Sequence, residues 1–162
     1  MKKLMALVLA AVMMTALLAG CGSKKEEVKS VDLTAFYNTL AQEYGWDDNS
    51  MMNLPDDPEL LEMYYPGLSE VKAAQLIAKA PMMSAVVNEY VFIQCETEED
   101  AAKAEKILGE RITMQAEGGA WYPESMEAWS KGVVDRQGTY VAMIASGEYG
   151  EEILAAWQAQ FQ

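Results

Sequence analysis

Few side chains in this sequence of 162 residues are suited to acid–base, nucleophilic or metal-ion chemistry. There is no histidine, which removes the usual general base near neutral pH, the base of catalytic triads and the commonest metal ligand. The two cysteines, Cys21 and Cys95, are too few for a structural zinc site. Carboxylates, methionines and aromatic side chains are therefore the remaining candidates.

Carboxylates crowd the segment from residue 47 to residue 62, which contains no basic residue. Hard oxygen ligands of this kind suit Ca²⁺, so a divalent-cation site is one interpretation. The segment lacks the glycine and the glutamate that an EF-hand loop starting at Asp47 requires. We therefore favour a solvated acidic face with helix caps. The residues concerned are Asp47, Asp48, Asp56, Asp57, Glu59 and Glu62.

Two other sets of side chains have both a chemical and a structural interpretation. Paired carboxylates can hydrolyse a glycosidic bond, but with 25 acidic residues some pair is expected by chance, so no catalytic residue is assigned. The pairs Met51-Met52 and Met82-Met83 could bind Cu(I), although methionine is also an ordinary filler of irregular cores. We expect core positions for the methionines, no metal and no cofactor.

Three aromatic residues, Trp121, Tyr122 and Trp129, form the best candidate for a ligand groove. Exposed on the surface, they could hold a sugar or a peptide by stacking. Buried, they would close the end of a sheet. We expect burial, and the ligand groove remains the alternative.

The first twenty residues have the pattern of an export signal. A positive start, Met1-Lys2-Lys3, precedes the uncharged run Leu4–Leu17, which is too short for a membrane span. The run ends in Leu18-Ala19-Gly20-Cys21, which resembles the lipobox of bacterial lipoproteins. The resemblance implies a diacylglyceryl group on the Cys21 thiol and cleavage between Gly20 and Cys21. Two or three acyl chains, at about 0.8 kcal/mol per buried CH₂, would hold the protein at the outer face of the cell membrane.

The rest of the chain divides into a tether and one domain. Residues 21–30 indicate a flexible spacer and residues 31–162 a single domain. From residue 31 onward there are seven basic and 23 acidic residues, a net charge of −16, which excludes nucleic acid as a partner. Cys95 lies in an apolar run, and we expect its thiol to be buried.

Periodicity and caps predict five helices, over residues 31–45, 57–66, 97–118, 123–129 and 149–160. They also predict a strand over residues 86–96 and a hairpin over residues 133–144. Residues 71–83 suit a helix or a strand, and we assign them to an edge strand, where Pro81 is tolerated. The expected fold is α+β, with one antiparallel sheet of about four strands and helices packed on one face.

The order of these motifs resembles the bacterial lipoproteins that carry domain of unknown function 4358. That resemblance implies a small surface-anchored domain and no reaction. One departure is Ser84, where the family commonly has asparagine. The resemblance rests on the lipobox at Cys21, the helix Leu33–Tyr44, Ala80-Pro81-Met82-Met83 before the strand Glu89–Cys95, Tyr122-Pro123-Glu124, and Gly138-Thr139-Tyr140-Val141-Ala142.

These observations predict a non-enzymatic, extracytoplasmic lipoprotein that presents an acidic domain to an envelope protein or glycan. Its partners would be the membrane, through the lipid on Cys21, and a ligand that the sequence does not name. The alternatives are a carboxylate-dependent hydrolase of cell-wall glycan and a divalent-cation-binding module.

Overall fold

The computed structural model describes residues 29–46 and 50–162. The predicted signal peptide, the predicted lipidation site Cys21, and Asp47 and Asp48 of the acidic segment lie outside this part of the chain. The described residues form five α-helices and five β-strands. These are α1 Leu33–Tyr44, β1 Met51–Asn53, α2 Pro58–Tyr64, β2 Ala73–Pro81, β3 Asn88–Cys95, α3 Glu98–Met114, α4 Pro123–Ser130, β4 Val133–Gln137, β5 Tyr140–Ser146 and α5 Gly150–Ala159.

The strands form one antiparallel sheet in the order β1-β2-β3-β5-β4, which confirms the α+β class. The sheet has five strands rather than about four, because the short strand β1 pairs with the end of β2, Met51 opposite Pro81. The prediction of an edge strand for residues 71–83 is therefore wrong, since β2 lies between β1 and β3. Pro81 is tolerated because it is the last residue of its strand.

Helices cover both faces of the sheet, so the prediction of helices on one face is wrong. On β3, Tyr90 and Phe92 pack against α1 and α5, whereas Val91 and Ile93 pack against α2, α3 and α4. All four side chains are completely buried. A strand that is apolar on both faces cannot leave either face in water, and this is the physical reason for the second layer of helices.

The ends of the helices follow the caps that the sequence predicts. Asp32 accepts a hydrogen bond from the Ala35 N–H at the start of α1 (2.9 Å), and α1 ends at Gly45, whose φ of 66° suits glycine. Thr97 accepts one from the Asp100 N–H at the start of α3 (3.0 Å). Among the described helices, none combines the length and hydrophobicity that a bilayer crossing requires.

The chain joins the sheet at one end, which we call the proximal end. There the Val31 N–H donates to the Tyr140 hydroxyl (3.2 Å), and the side-chain amide of Gln75 donates to the Val31 carbonyl (2.9 Å) and accepts from the Leu33 N–H (3.0 Å). The proximal end is where β2 and β5 begin and β3 ends.

The opposite end of the sheet, the distal end, is where β2 stops at Pro81, β3 starts at Asn88 and β5 stops at Ser146. Along β3 the two ends are separated by about 20 Å at 3.3 Å per residue. Residues 82–87 connect β2 to β3 at the distal end, far from the point where the chain joins the domain.

Candidate functional site

A groove of about 400 Å³ opens at the distal end, and we call it the distal groove. It lies between the β2–β3 connection, the first turns of α4 and the loop that follows β5. Its charged side chains are Glu124 and Glu148, and no basic side chain lines it. Val86, Asn88 and Ser125 also line it.

Hydrogen bonds join the three segments that form the distal groove. The Ser125 hydroxyl, on α4, donates to the Ala85 carbonyl in the β2–β3 connection (3.3 Å). The Gly147 N–H donates to the Val87 carbonyl (2.8 Å), which holds the loop after β5 against the same connection. Ser125 is itself buried, so this link lies beneath the surface of the groove.

Ser146 positions the loop that carries Glu148. Its hydroxyl donates to the Asn88 side-chain oxygen (3.0 Å) and accepts from the N–H groups of Glu148 (3.3 Å) and Tyr149 (3.1 Å). The Tyr90 hydroxyl donates to the same oxygen of Asn88 (3.1 Å). Burial raises the pKa of Tyr90 far above its usual value, so the hydroxyl keeps its proton.

Exposed apolar side chains lie in or directly before two of the segments that form the distal groove, the β2–β3 connection and α4. In the β2–β3 connection Met82 and Met83 are 64% and 66% exposed, and Val86, which also lines the groove, is 42% exposed. Trp121 and Tyr122, immediately before α4, are 88% and 52% exposed. We call these five residues the apolar rim. Exposed apolar side chains that adjoin a groove mark an interaction surface more often than ones scattered singly.

The expectation that all three candidate aromatic residues are buried is wrong for two of them. Trp121 and Tyr122 lie in the connection before α4, where neither a helical nor a strand period turns them inward; Ala120 is buried there instead. Trp129, inside α4, is 5% exposed and packs in the core, as expected. The structure therefore places Trp121 and Tyr122 at the distal end and Trp129 in the interior.

A buried ion pair lies behind the distal groove. Glu89, the residue after Asn88, accepts two hydrogen bonds from the Arg111 guanidinium, both 2.9 Å long, and one from the Tyr65 hydroxyl (2.7 Å). The guanidinium also lies over the rings of Tyr64 (4.6 Å) and Trp129 (5.4 Å). This cluster joins β3 to α2, α3 and α4.

The electrostatics of the cluster keep Tyr65 protonated and Arg111 charged. Burial, followed by the charge of Glu89, raises the pKa of Tyr65 well above its usual value. Burial alone would lower the pKa of Arg111, but the hydrogen bonds and charge of Glu89 outweigh it and the pKa is raised. This cluster was not predicted from the sequence, although an acidic residue inside an apolar strand, Glu89, is the signal that could have indicated it.

Two of the four acidic residues between 56 and 62, Asp57 and Glu62, accept hydrogen bonds from neighbouring groups of the chain. Asp57 accepts hydrogen bonds from the N–H groups of Glu59 and Leu60 (both 3.1 Å) and caps α2, as predicted. Glu62 accepts from the Gly67 N–H and the Ser69 hydroxyl (both 2.7 Å), which lowers its pKa. Within residues 29–46 and 50–162, no three acidic or cysteine side chains lie close enough together to hold a metal ion.

The methionine pairs lie near one another at the end of β2 but differ in burial. Met51 is buried against α1 and α5, and its neighbour Met52 packs on the opposite face of the sheet. The core interpretation is confirmed for these two and wrong for Met82 and Met83, which are exposed. The thiol of Cys95 is buried as predicted, and burial raises its pKa to about 11.

The fold and the site define a small α+β domain with an acidic groove bordered by exposed apolar side chains. The chain belongs to the family described as domain of unknown function (DUF4358), whose model matches residues 44–146. This range contains all five described strands, α2 to α4, and the apolar rim. No curated protein and no solved structure shows a significant match to the chain.

Proposed function

We propose that this protein is a lipid-anchored binding module of the cell surface, without catalytic activity of its own. The observation that supports binding is the distal groove together with the apolar rim. Five large or branched apolar side chains there are between 42% and 88% exposed, at a cost in free energy that a partner would recover on covering them.

The proposal of a lipid anchor is based on the sequence around Cys21. An export signal ending in Leu18-Ala19-Gly20 directly precedes that cysteine, and a polar spacer follows it. The acidic domain has no helix among the described ones that could hold it in a bilayer, so the anchor would provide its membrane attachment.

Replacement of the cysteine tests the anchor. The Cys21→Ala variant should leave the membrane fraction, and the matched Cys95→Ala variant should remain there because its thiol is only a core side chain. The mass of the natural protein should correspond to a chain that begins at residue 21 and carries acyl groups. A Cys21→Ala protein that still sediments with membranes, or a natural protein with an unmodified thiol, contradicts the proposal.

A second candidate function is hydrolysis of cell-wall glycan, because Glu124 and Glu148 line the same groove. Retaining and inverting glycosidases use two facing carboxylates. Both side chains here are exposed, whereas a general acid that works at neutral pH is usually withdrawn from water, so the geometry favours binding. Release of sugar from peptidoglycan fragments that Glu124→Gln and Glu148→Gln each abolish would favour hydrolysis instead.

A further inference from the structure

From the shape and charge of the distal end we infer that the distal groove docks a protein segment with neighbouring apolar and basic side chains, on the side of the domain that faces away from the membrane. The inference rests on the proposed function and adds the chemistry of the partner and the direction from which it arrives.

The charge of the groove selects for a basic partner. Glu124 and Glu148 are its charged lining residues, and both are exposed to an incoming ligand. The basic side chain that directly follows α4, that of Lys131, is already paired with Glu127 (2.9 Å). A lysine or arginine of the partner would meet two carboxylates, and a carboxylate of the partner would meet repulsion.

The apolar rim selects for apolar side chains next to the basic one. The Ser125 hydroxyl, in the first turn of α4, donates to the Ala85 carbonyl in the β2–β3 connection. Trp121 and Tyr122 lie within four residues of Ser125, and the rim residues of the β2–β3 connection lie within three residues of Ala85. Aromatic and methionine side chains are enriched at protein interfaces, where they bury large areas with few rotatable bonds or adapt to irregular shapes.

The tether joins the domain at the end opposite the distal groove, which favours approach of a partner from the other side. Val31 is fixed at the proximal end by Tyr140 and Gln75, and the distal groove lies at the other end of the same strands. From residue 21 to residue 29 the chain can extend by at most about 28 Å. The distal end is thus the part of the sheet farthest from the point where the tether joins the domain, and it is open to a partner in the envelope.

A second copy of the chain is a poor occupant of the groove. Each domain carries a net charge of −16, so self-association through an acidic groove would bring like charges together. The lipid surface is a poor occupant for the same reason when it contains anionic lipids, and because the anchor attaches at the opposite end.

The test uses the lipidated full chain in lipid nanodiscs and three synthetic peptides that share their apolar residues. One peptide carries lysines, one has glutamines at the same positions, and one has glutamates. The lysine peptide should bind at least about tenfold more tightly than the glutamate peptide, and its affinity should fall as salt is added.

The variants Trp121→Ala and Glu124→Gln should each weaken binding of the lysine peptide about tenfold. Met63→Ala is the matched control, since Met63 is 65% exposed on α2 and does not line the groove.

Four results would overturn the inference. Equal binding of the three peptides would show that the groove does not prefer a basic partner. Binding of none of them would show that the groove does not dock a segment of this kind. Quenching of Trp121 fluorescence by brominated lipid in the disc, absent in Trp121→Phe, would place the distal end against the bilayer. Dimerisation of the chain that Trp121→Ala abolishes would make a second copy the occupant. The Cys21→Ala fractionation is independent of all four, so a failed anchor and a failed partner class can be told apart.

Discussion

Glu89 carries the most deeply buried charge among the described residues, with 2% of its surface exposed. Such a charge is tolerated only when it is fully paired, and here Arg111 and Tyr65 supply three hydrogen bonds to the carboxylate. Glu89 follows Asn88, which lines the distal groove and whose side chain accepts a hydrogen bond from the Ser146 hydroxyl. We interpret the ion pair as a structural support.

Removal of the cation should therefore be costly. In Arg111→Met the Glu89 carboxylate keeps only the Tyr65 hydroxyl, and we expect the free energy of unfolding to fall by about 3–5 kcal/mol in a denaturant titration. The double variant Glu89→Gln with Arg111→Met should recover part of the loss, because it removes the buried charge as well. A loss in Arg111→Met below about 1 kcal/mol, typical of exposed pairs, would show that the pair is not buried in solution.

Cys95 provides a second test at the scale of one residue. Its thiol is 3% exposed and has a pKa of about 11, with burial as the main cause and the charge of Asp100 as the second. A thiol-specific reagent that needs the thiolate should not label the native protein at neutral pH. After denaturation it should titrate one thiol in the natural protein if, as proposed, Cys21 is lipidated, and two in unprocessed material. Rapid labelling of the native chain would contradict the burial.

At the scale of the elements, the sequence was informative wherever a regular period or a cap was present. Apolar spacing predicts the strand β3 and, together with the caps Asp32 and Thr97, the helices α1 and α3. The turn at Gly138, whose φ is 63°, predicts the β4–β5 hairpin. The strand β1 has only three residues and therefore no readable period. Its presence depends on the end of β2, a tertiary contact that local spacing does not contain.

The candidate site was less predictable than the fold for a related reason. Trp121, Met82 and Met83 lie in connections, where an apolar residue can face inward or outward without breaking any pattern. The groove also combines segments that are distant in sequence, such as Ala85 and Ser125. The sequence named Trp121 and Tyr122 as candidates by their chemistry, but their exposure follows from the packing of α4 against the β2–β3 connection.

The start of α2 offers a test of one element. Asp57 caps the helix through two backbone N–H groups, and we expect Asp57→Ala to lower the free energy of unfolding by about 1 kcal/mol. Since its carboxylate is already used in the cap, millimolar Ca²⁺ should leave the melting temperature of the natural protein unchanged. Asp56→Ala is the matched control, because Asp57 and not its neighbour accepts these bonds. A rise in melting temperature with Ca²⁺ that Asp57→Ala removes would favour a cation site.

At the scale of the whole molecule, Val31, where the chain enters the domain, and the apolar rim lie at opposite ends of the sheet. The domain also carries a net charge of −16. Six of the seven basic residues are already engaged. Arg111 is in the buried pair, Lys103, Lys106, Lys131 and Arg136 are in surface pairs, and Lys79 lies over the ring of Tyr37. Most of the 23 acidic residues therefore have no cation to offset them, and they repel one another across the surface.

This repulsion predicts how salt changes stability. Raising the ionic strength from about 10 mM to about 150 mM shortens the Debye length from about 30 Å to about 8 Å, so the melting temperature should rise.

The variant Glu43→Lys lowers the net negative charge by two and puts a cation in the last turn of α1, which has none. It should melt higher than the natural protein at low salt and show a smaller gain on adding salt, whereas Glu43→Gln should give an intermediate gain. Calorimetry at the two ionic strengths measures both effects. A melting temperature that falls with salt would mean that the surface ion pairs, such as Lys103 with Glu99, outweigh the repulsion.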